Sequence, residues 1–234
     1  MSESSPLERI GPLPRGALRH GVVHRLLAAI VSGELAAGTR LAAKRLAERL
    51  GVSATPIREA LVELEQMGIV QILHNRGAVV RPLGRTEVHD IYHLRRILEC
   101  EAVRCSCGRL ALTALARLKD ELEGLLQQPT DDVERWLRNL IDHDQRLHGL
   151  ILDHCGNGRL RDEIRRQQSL FQALTEALGD RISIHREMVA GHKPIIEALL
   201  ASDASEAAEA MAMHVNSVCG CVEETLFNHE PPKS

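Results

Sequence analysis

Asp144 and His148 stand four residues apart in a stretch whose apolar residues recur at helical spacing: Val133, Trp136, Leu137, Leu140, Ile141, Leu147, Ile151 and Leu152. At about 100° per residue these positions form one broad stripe, with Asp144 near its centre and His148 within it. Residues four apart meet on one face of a helix. A carboxylate buried alone costs on the order of several kcal/mol, so this one needs partners. Two later segments offer them. His192 falls on the stripe formed with Met188, Ile195, Ile196 and Leu199, and His214 falls at the edge of the stripe formed with Ala207, Met211, Val215, Val218 and Val222. One carboxylate and three imidazoles leaning toward a helical core are a donor set for a divalent metal. The competing reading makes each histidine a hydrogen-bonded core residue. His185 shares the His192 face if that helix is continuous, and Gly191 and Pro194 can interrupt it. Both readings stay open at this level.

The elements that must position these residues are helical. From Thr86 onward the pattern is helical throughout, with breaks near Gly108, Pro129-Thr130, Gly156-Asn157-Gly158, Gly179-Asp180 and Ser202-Asp203. About six helices follow, an all-α bundle. The composition agrees: 44% of residues are hydrophobic and only 2% aromatic, so the core is built of Leu, Ile, Val and Ala.

The first 85 residues read differently. Residues 1–14 lack periodicity and form an expected loose arm. A helix is expected over about 16–32, with Val22, Leu26, Leu27 and Ile30 as its apolar side. A short helix covers Lys44–Leu50, Gly51 closes it, and Ser53 or Thr55 can cap the next, which runs to about Met67. Ile69–Leu73 and Ala78–Arg81 flank the turn His74–Gly77 as two short strands. In the second helix of the pair, Ile57, Ala60, Leu61 and Leu64 face inward, while Thr55, Arg58 and Lys44 of the preceding helix stay outside. Such a helix can lay its N-terminal residues in a DNA major groove, with Arg76 at the hairpin tip reaching a phosphate or the minor groove. An ordinary three-helix domain with a solvated charged face would show the same pattern.

Charge separates the two parts. Residues 1–85 carry 12 Lys+Arg against 7 Asp+Glu, and the remainder 17 against 25, so a net charge of −3 hides a basic front and an acidic back. Only the front suits phosphates. No apolar run is long enough to span a bilayer, no signal-peptide core is present, and a cytoplasmic protein is expected. Six cysteines then read as free thiols. Within each C-x-C pair the side chains point about 200° apart on a helix, which disfavours chelation by the pair. Cys155, beside His154, is the candidate reactive thiol.

At this point a resemblance becomes specific. The run LAAKRLAERLGVSATPIREALVELEQMGIVQILHNRGAVV, residues 41–80, resembles the winged helix-turn-helix of the GntR family of bacterial transcription factors. Gly51, Val52, Ser53, Thr55, Pro56, Arg58, Glu59, Ala60 and Leu61 match its pattern, as do Asn75, Arg76 and Gly77. Ala54 stands where the family carries an operator-contacting Arg, and Ala42-Ala43 where it carries an acidic residue. Residues 86–227 resemble the FCD ligand-binding domain of the FadR subfamily, through YHLRRILE at 92–99, DQRLHGLILDHCGN at 144–157 and GHKPIIEALLASDASEAAEAMAMH at 191–214.

The resemblance implies a mainly α protein with four parts: the arm at 1–14, a winged helix at 15–85 (three helices and a small β-hairpin), an all-helical sensor at 86–227 and a tail at 228–234. It implies a dimeric, non-enzymatic transcriptional regulator, most commonly a repressor. Lys44, Ser53, Thr55, Arg58, Asn75, Arg76 and Gly77 would lie at operator DNA. Asp144, His148, His192 and His214 would hold a divalent metal, commonly zinc or nickel. Arg95 would hold an organic-acid effector, and Asn157 would shape a helix end near it. A regulator for which the metal is itself the signal is one alternative. A mononuclear metal hydrolase is another, but no general base stands out for it.

Overall fold

The computed structural model describes residues 19–73, 76–127, 132–179 and 181–227. The expected arm and tail lie outside the described residues, as do His74 and Asn75 of the hairpin tip. The chain divides into two compact units, Met1–Glu87 with Arg166–Ala177, and Val88–Arg165 with Leu178–Ser234.

In the first unit, α1 (Arg19–Val31) packs on α3 (Ala54–Gln66), and α2 (Ala43–Leu50) packs beside α3. The expected apolar faces are buried: Val22, Leu26, Leu27 and Ile30 on α1, and Ile57, Ala60, Leu61 and Leu64 on α3. Leu26, Leu27, Ile57 and Leu64 are fully enclosed, each worth about 1.5–3 kcal/mol of burial. Helix α2 stops because Gly51 turns left-handed, at φ 69°, and its N–H bonds back to the Ala47 carbonyl. Ser53 is the N-cap of α3, as its sequence position suggests, but its side chain makes no capping hydrogen bond.

The expected hairpin is present as β2 (Val70–Leu73) and β3 (Gly77–Val80), and a third strand joins it. This strand, β1 (Arg40–Leu41), pairs antiparallel with β3, giving the order β1-β3-β2. Two residues have no periodicity to read, so the sequence pattern passes over it. The register sets Leu41 against Ala78 and Leu73 against Gly77. Gly77 has φ +81°, and a Cβ there would run into the Leu41 carbonyl oxygen, so this close approach of strands requires glycine.

The second unit is built from helices, with seven described instead of about six. They are α4 (Arg85–Ser106), α5 (Leu112–Gln127), α6 (Val133–His154), α7 (Gly158–Glu176), α8 (Ile182–Ala190), α9 (His192–Leu200) and α10 (Ala204–Phe227). The count differs because Gly191 separates α8 from α9. Helices α4 and α7 each cross a unit boundary. Helix α9 packs on α10 and α5, and α5 on α6. No helix among the described residues is long and apolar enough to cross a membrane.

Candidate functional site

Of the residues expected at DNA, Lys44 on α2 and Thr55 and Arg58 in the first turns of α3 are exposed, as are Ser53 and Arg76. Gly77 opens β3 and is half-buried. Asn75 lies outside the described residues. Arg45, adjacent to Lys44, is an exposed cation of the same helix that pattern reading passes over.

The second unit brings Asp144, His148, His192 and His214 together. Their donor atoms all lie within 4.8 Å of one another. Asp144 Oδ1 is 3.7 Å from His148 Nε2 and 3.4 Å from His192 Nε2. The His214 ring centroid is 4.6 Å from that of His192 and 5.6 Å from that of His148. Helix α6 supplies the first pair because residues one turn apart share a face. The start of α9 supplies His192, and α10 supplies His214.

Gly191 makes room for this meeting. A Cβ there would stand 3.0 Å from His214 Nδ1 and 3.1 Å from the Met188 carbonyl oxygen. Any larger residue would press on the imidazole.

The electrostatics favour ligand chemistry. Burial pulls the His214 imidazole well below its ordinary range, and His192, His148 and Arg95 push the same way. Burial also lowers His192, although Asp144 opposes it. Both rings are therefore held in the neutral form that binds metals. Burial works against ionisation of Asp144, but His148, His192 and Arg95 outweigh it and hold the carboxyl far below its ordinary value. The Asp144 side chain keeps 43% exposure, so the cluster is open to solvent on its side. Both ring nitrogens of His214, and Nε2 of His148, are buried without a hydrogen-bond partner among the described residues. Orphaned buried imidazole nitrogens grouped around one carboxylate fit a cation, because protein groups do not satisfy them.

Two neighbouring histidines bond to backbone carbonyls through Nε2, although Nδ1 of His143 is itself buried without a partner among the described residues. His185 donates from Nε2 to the Gly179 carbonyl at 2.7 Å, so it serves as a structural residue. His143, which pattern reading passes over, is fully buried and stacks on His192 at 5.5 Å. Its Nε2–H donates to the Leu118 carbonyl at 3.0 Å. The signal for it was present, since Trp136, Leu140, His143, Leu147 and Ile151 follow one helical stripe.

Two buried charges of α4 back the cluster. Arg95 Nε donates to Glu99 Oε1 at 2.8 Å, and Glu99 Oε2 lies 2.9 Å from His148 Nδ1. Burial disfavours the Glu99 carboxylate, but Arg95 and His148 more than compensate and hold its pKa far below the ordinary carboxylate range. Beside them lies a narrow cleft, with room for about one water molecule, lined by Glu99, Ala102, His148, Ile151, Leu152, Ile164 and Met211. Asn157 is exposed, and its Oδ1 accepts from Leu160 N at 3.1 Å, capping α7. It does not line this cleft.

Comparison with known proteins agrees with this architecture. Residues 18–80 match the model of bacterial regulatory proteins of the gntR family, and residues 90–217 match the FCD domain. An HTH-type transcriptional regulator of Streptomyces ambofaciens is 27% identical over 91% of this chain and 88% of its own length. The HTH-type transcriptional repressor RspR of Escherichia coli K12 is 24% identical over 88% of this chain and 86% of its own. Among solved structures, E. coli McbR/YncC shares the fold, with a TM-score of 0.66 at 24% identity, covering 89% of this chain and 98% of that one. The chain thus belongs to the gntR family of bacterial regulatory proteins, as a DNA-binding transcriptional regulator that carries an FCD domain.

Proposed function

We propose that this regulator is a repressor whose FCD domain holds a divalent metal, zinc or nickel, and binds a small carboxylate that alters operator affinity. The part at 15–85 would bind DNA as one half of a homodimer, and the part at 86–227 would sense. Lys44, Ser53, Thr55, Arg58, Asn75, Arg76 and Gly77 are assigned to the DNA contact. Thr55 and Arg58, exposed at the N-terminal end of α3, suit base edges and phosphates.

The observation that carries the metal assignment is the group of buried, unpartnered imidazole nitrogens around Asp144. Asp144, His148, His192 and His214 would be the ligands. A divalent ion there supplies Lewis acidity, with further coordination positions open to an effector carboxylate. Arg95 contributes positive charge beside it, and Asn157 fixes the start of α7. The cleft has room for about one water molecule, so an effector would enter only if its mostly aliphatic walls part.

Elemental analysis of purified protein tests the assignment. One divalent ion per chain, lost in His192→Ala, is expected. Small carboxylic acids should then shift operator binding by the wild type and leave His148→Ala unmoved. Metal-free wild type that still binds operator would remove the metal from this reading.

A further inference from the structure

A second donor cluster lies elsewhere in the same unit, and none of its residues belongs to the Asp144 site. His89 projects from the first turns of α4, and Cys219 and Glu223 lie one turn apart on α10. Their donor atoms lie within 4.8 Å of one another. Glu223 Oε1 is 3.7 Å from His89 Nδ1 and accepts the Cys219 S–H at 3.6 Å, a proton that a bound metal would displace. We propose that His89, Cys219 and Glu223 form a separate thiolate-containing site for a borderline-soft divalent cation such as zinc.

Three features separate this cluster from an ordinary surface ion pair. First, 3.7 Å is too long for an N–H···O hydrogen bond, which runs about 2.7–3.2 Å, so His89 is not simply bonded to Glu223. Second, the spacings are near those that a metal imposes. Tetrahedral zinc with Zn–S of about 2.3 Å and Zn–N and Zn–O of about 2.0–2.2 Å sets its ligand atoms about 3.3–3.6 Å apart. Small side-chain shifts would close the set, and exposed His89 is free to make them. Third, the donor types are selective. A thiolate with an imidazole and a carboxylate suits zinc or cobalt, whereas magnesium and calcium prefer all-oxygen sets. Cys219 is buried and Glu223 largely so, while exposed His89 leaves one side for a water ligand. Such a site would tie α4, the first helix of this unit, to α10, its last.

Cobalt(II) is the probe, because only this site offers sulfur. The Asp144 cluster has nitrogen and oxygen donors alone and gives no thiolate-to-cobalt charge-transfer band. Cobalt titration of reduced full-length protein should produce that near-ultraviolet band in wild type, in His148→Ala and in Cys221→Ser. The band should vanish in Cys219→Ser. In His89→Ala, whose exposed position spares the fold, it should require at least about tenfold more cobalt. A wild type without the band, a band that survives Cys219→Ser, or one unmoved by His89→Ala would overturn the site. Loss of the band in His148→Ala would also overturn it as an independent site.

Discussion

His148 Nδ1 stands 2.9 Å from Glu99 Oε2, with both side chains largely buried. Burial opposes a charged ring, but Glu99 and Asp144 outweigh it and raise the His148 pKa above its ordinary value. Arg95 holds Glu99 from the other side at 2.8 Å. The chain of charges Arg95–Glu99–His148 therefore ties one ring of the cluster to α4.

Replacing Glu99 by Gln removes the charge opposite buried Arg95. Breaking a buried pair in this way costs about 3–5 kcal/mol, and loss of an outer-shell carboxylate weakens metal affinity about 10- to 100-fold. Urea unfolding and a competitive metal titration on Glu99→Gln should show both losses. Unchanged stability would mean that Arg95 finds its counter-charge elsewhere, and unchanged metal affinity would take Glu99 out of the site.

His143 gives the opposite expectation. It stacks on His192 but spends its Nε2 on the Leu118 carbonyl. His143→Leu loses that hydrogen bond while the carbonyl keeps its place in the α5 ladder, a loss of about 0.5–1.5 kcal/mol. Trp136 is the chain's single tryptophan and lies in the same unit, so its fluorescence reports the unfolding. Stability should fall while metal stoichiometry stays that of wild type. A variant that loses its metal would promote His143 from packing residue to ligand support.

The four-residue cluster was legible because each member breaks an apolar stripe at helical spacing, on the long α6 and α10 and on the short α9 alike. Glu99 breaks such a stripe too, between Tyr92 and Val103, but a carboxylate on a helix with charged neighbours does not announce itself as buried. Of its partners, Arg95 one turn earlier can be read from the spacing, whereas His148 on another helix cannot. Strand β1 was beyond reach for a different reason: two residues carry no period, and their pairing depends on the glycine of a distant strand. The break at Gly191 was foreseeable as a possibility, while its use, clearing space for His214, depends on a residue in another helix.

Gly77 makes that dependence measurable. At φ +81° a side chain is strained, and a Cβ would collide with the Leu41 carbonyl. Strain of this kind costs about 1–3 kcal/mol before any clash is relieved. Gly77→Ala should lower the stability of the first unit and weaken operator binding, measured by denaturation and by fluorescence anisotropy on a selected DNA site. Full operator affinity with unchanged stability would show that β1 need not pair with β3.

The first unit also contains a charge pair that depends on pH. His24 Nε2 on α1 lies 3.0 Å from Glu176 Oε2 on α7. The hydrogen bond to Glu176 raises the His24 pKa above 6.5, against the opposing effect of burial. Burial disfavours the Glu176 carboxylate, but His24 and Gln172 lower its pKa below 4.5. The histidine's contribution is complete below its unfolded value and is lost as pH rises through the raised folded value. The carboxylate's contribution is complete above its unfolded value and is lost as pH falls through the depressed one. Both are present together between about 4.5 and 6.5. Each side chain is 35% exposed, so solvent screening limits the pair to about 0.2–1 kcal/mol. His24→Gln, which can still hydrogen-bond but carries no charge, should be less stable than wild type by that amount at about pH 5.5, and the difference should disappear by about pH 9. A stability difference independent of pH across that range would show that packing, not the charge pair, links α1 to α7.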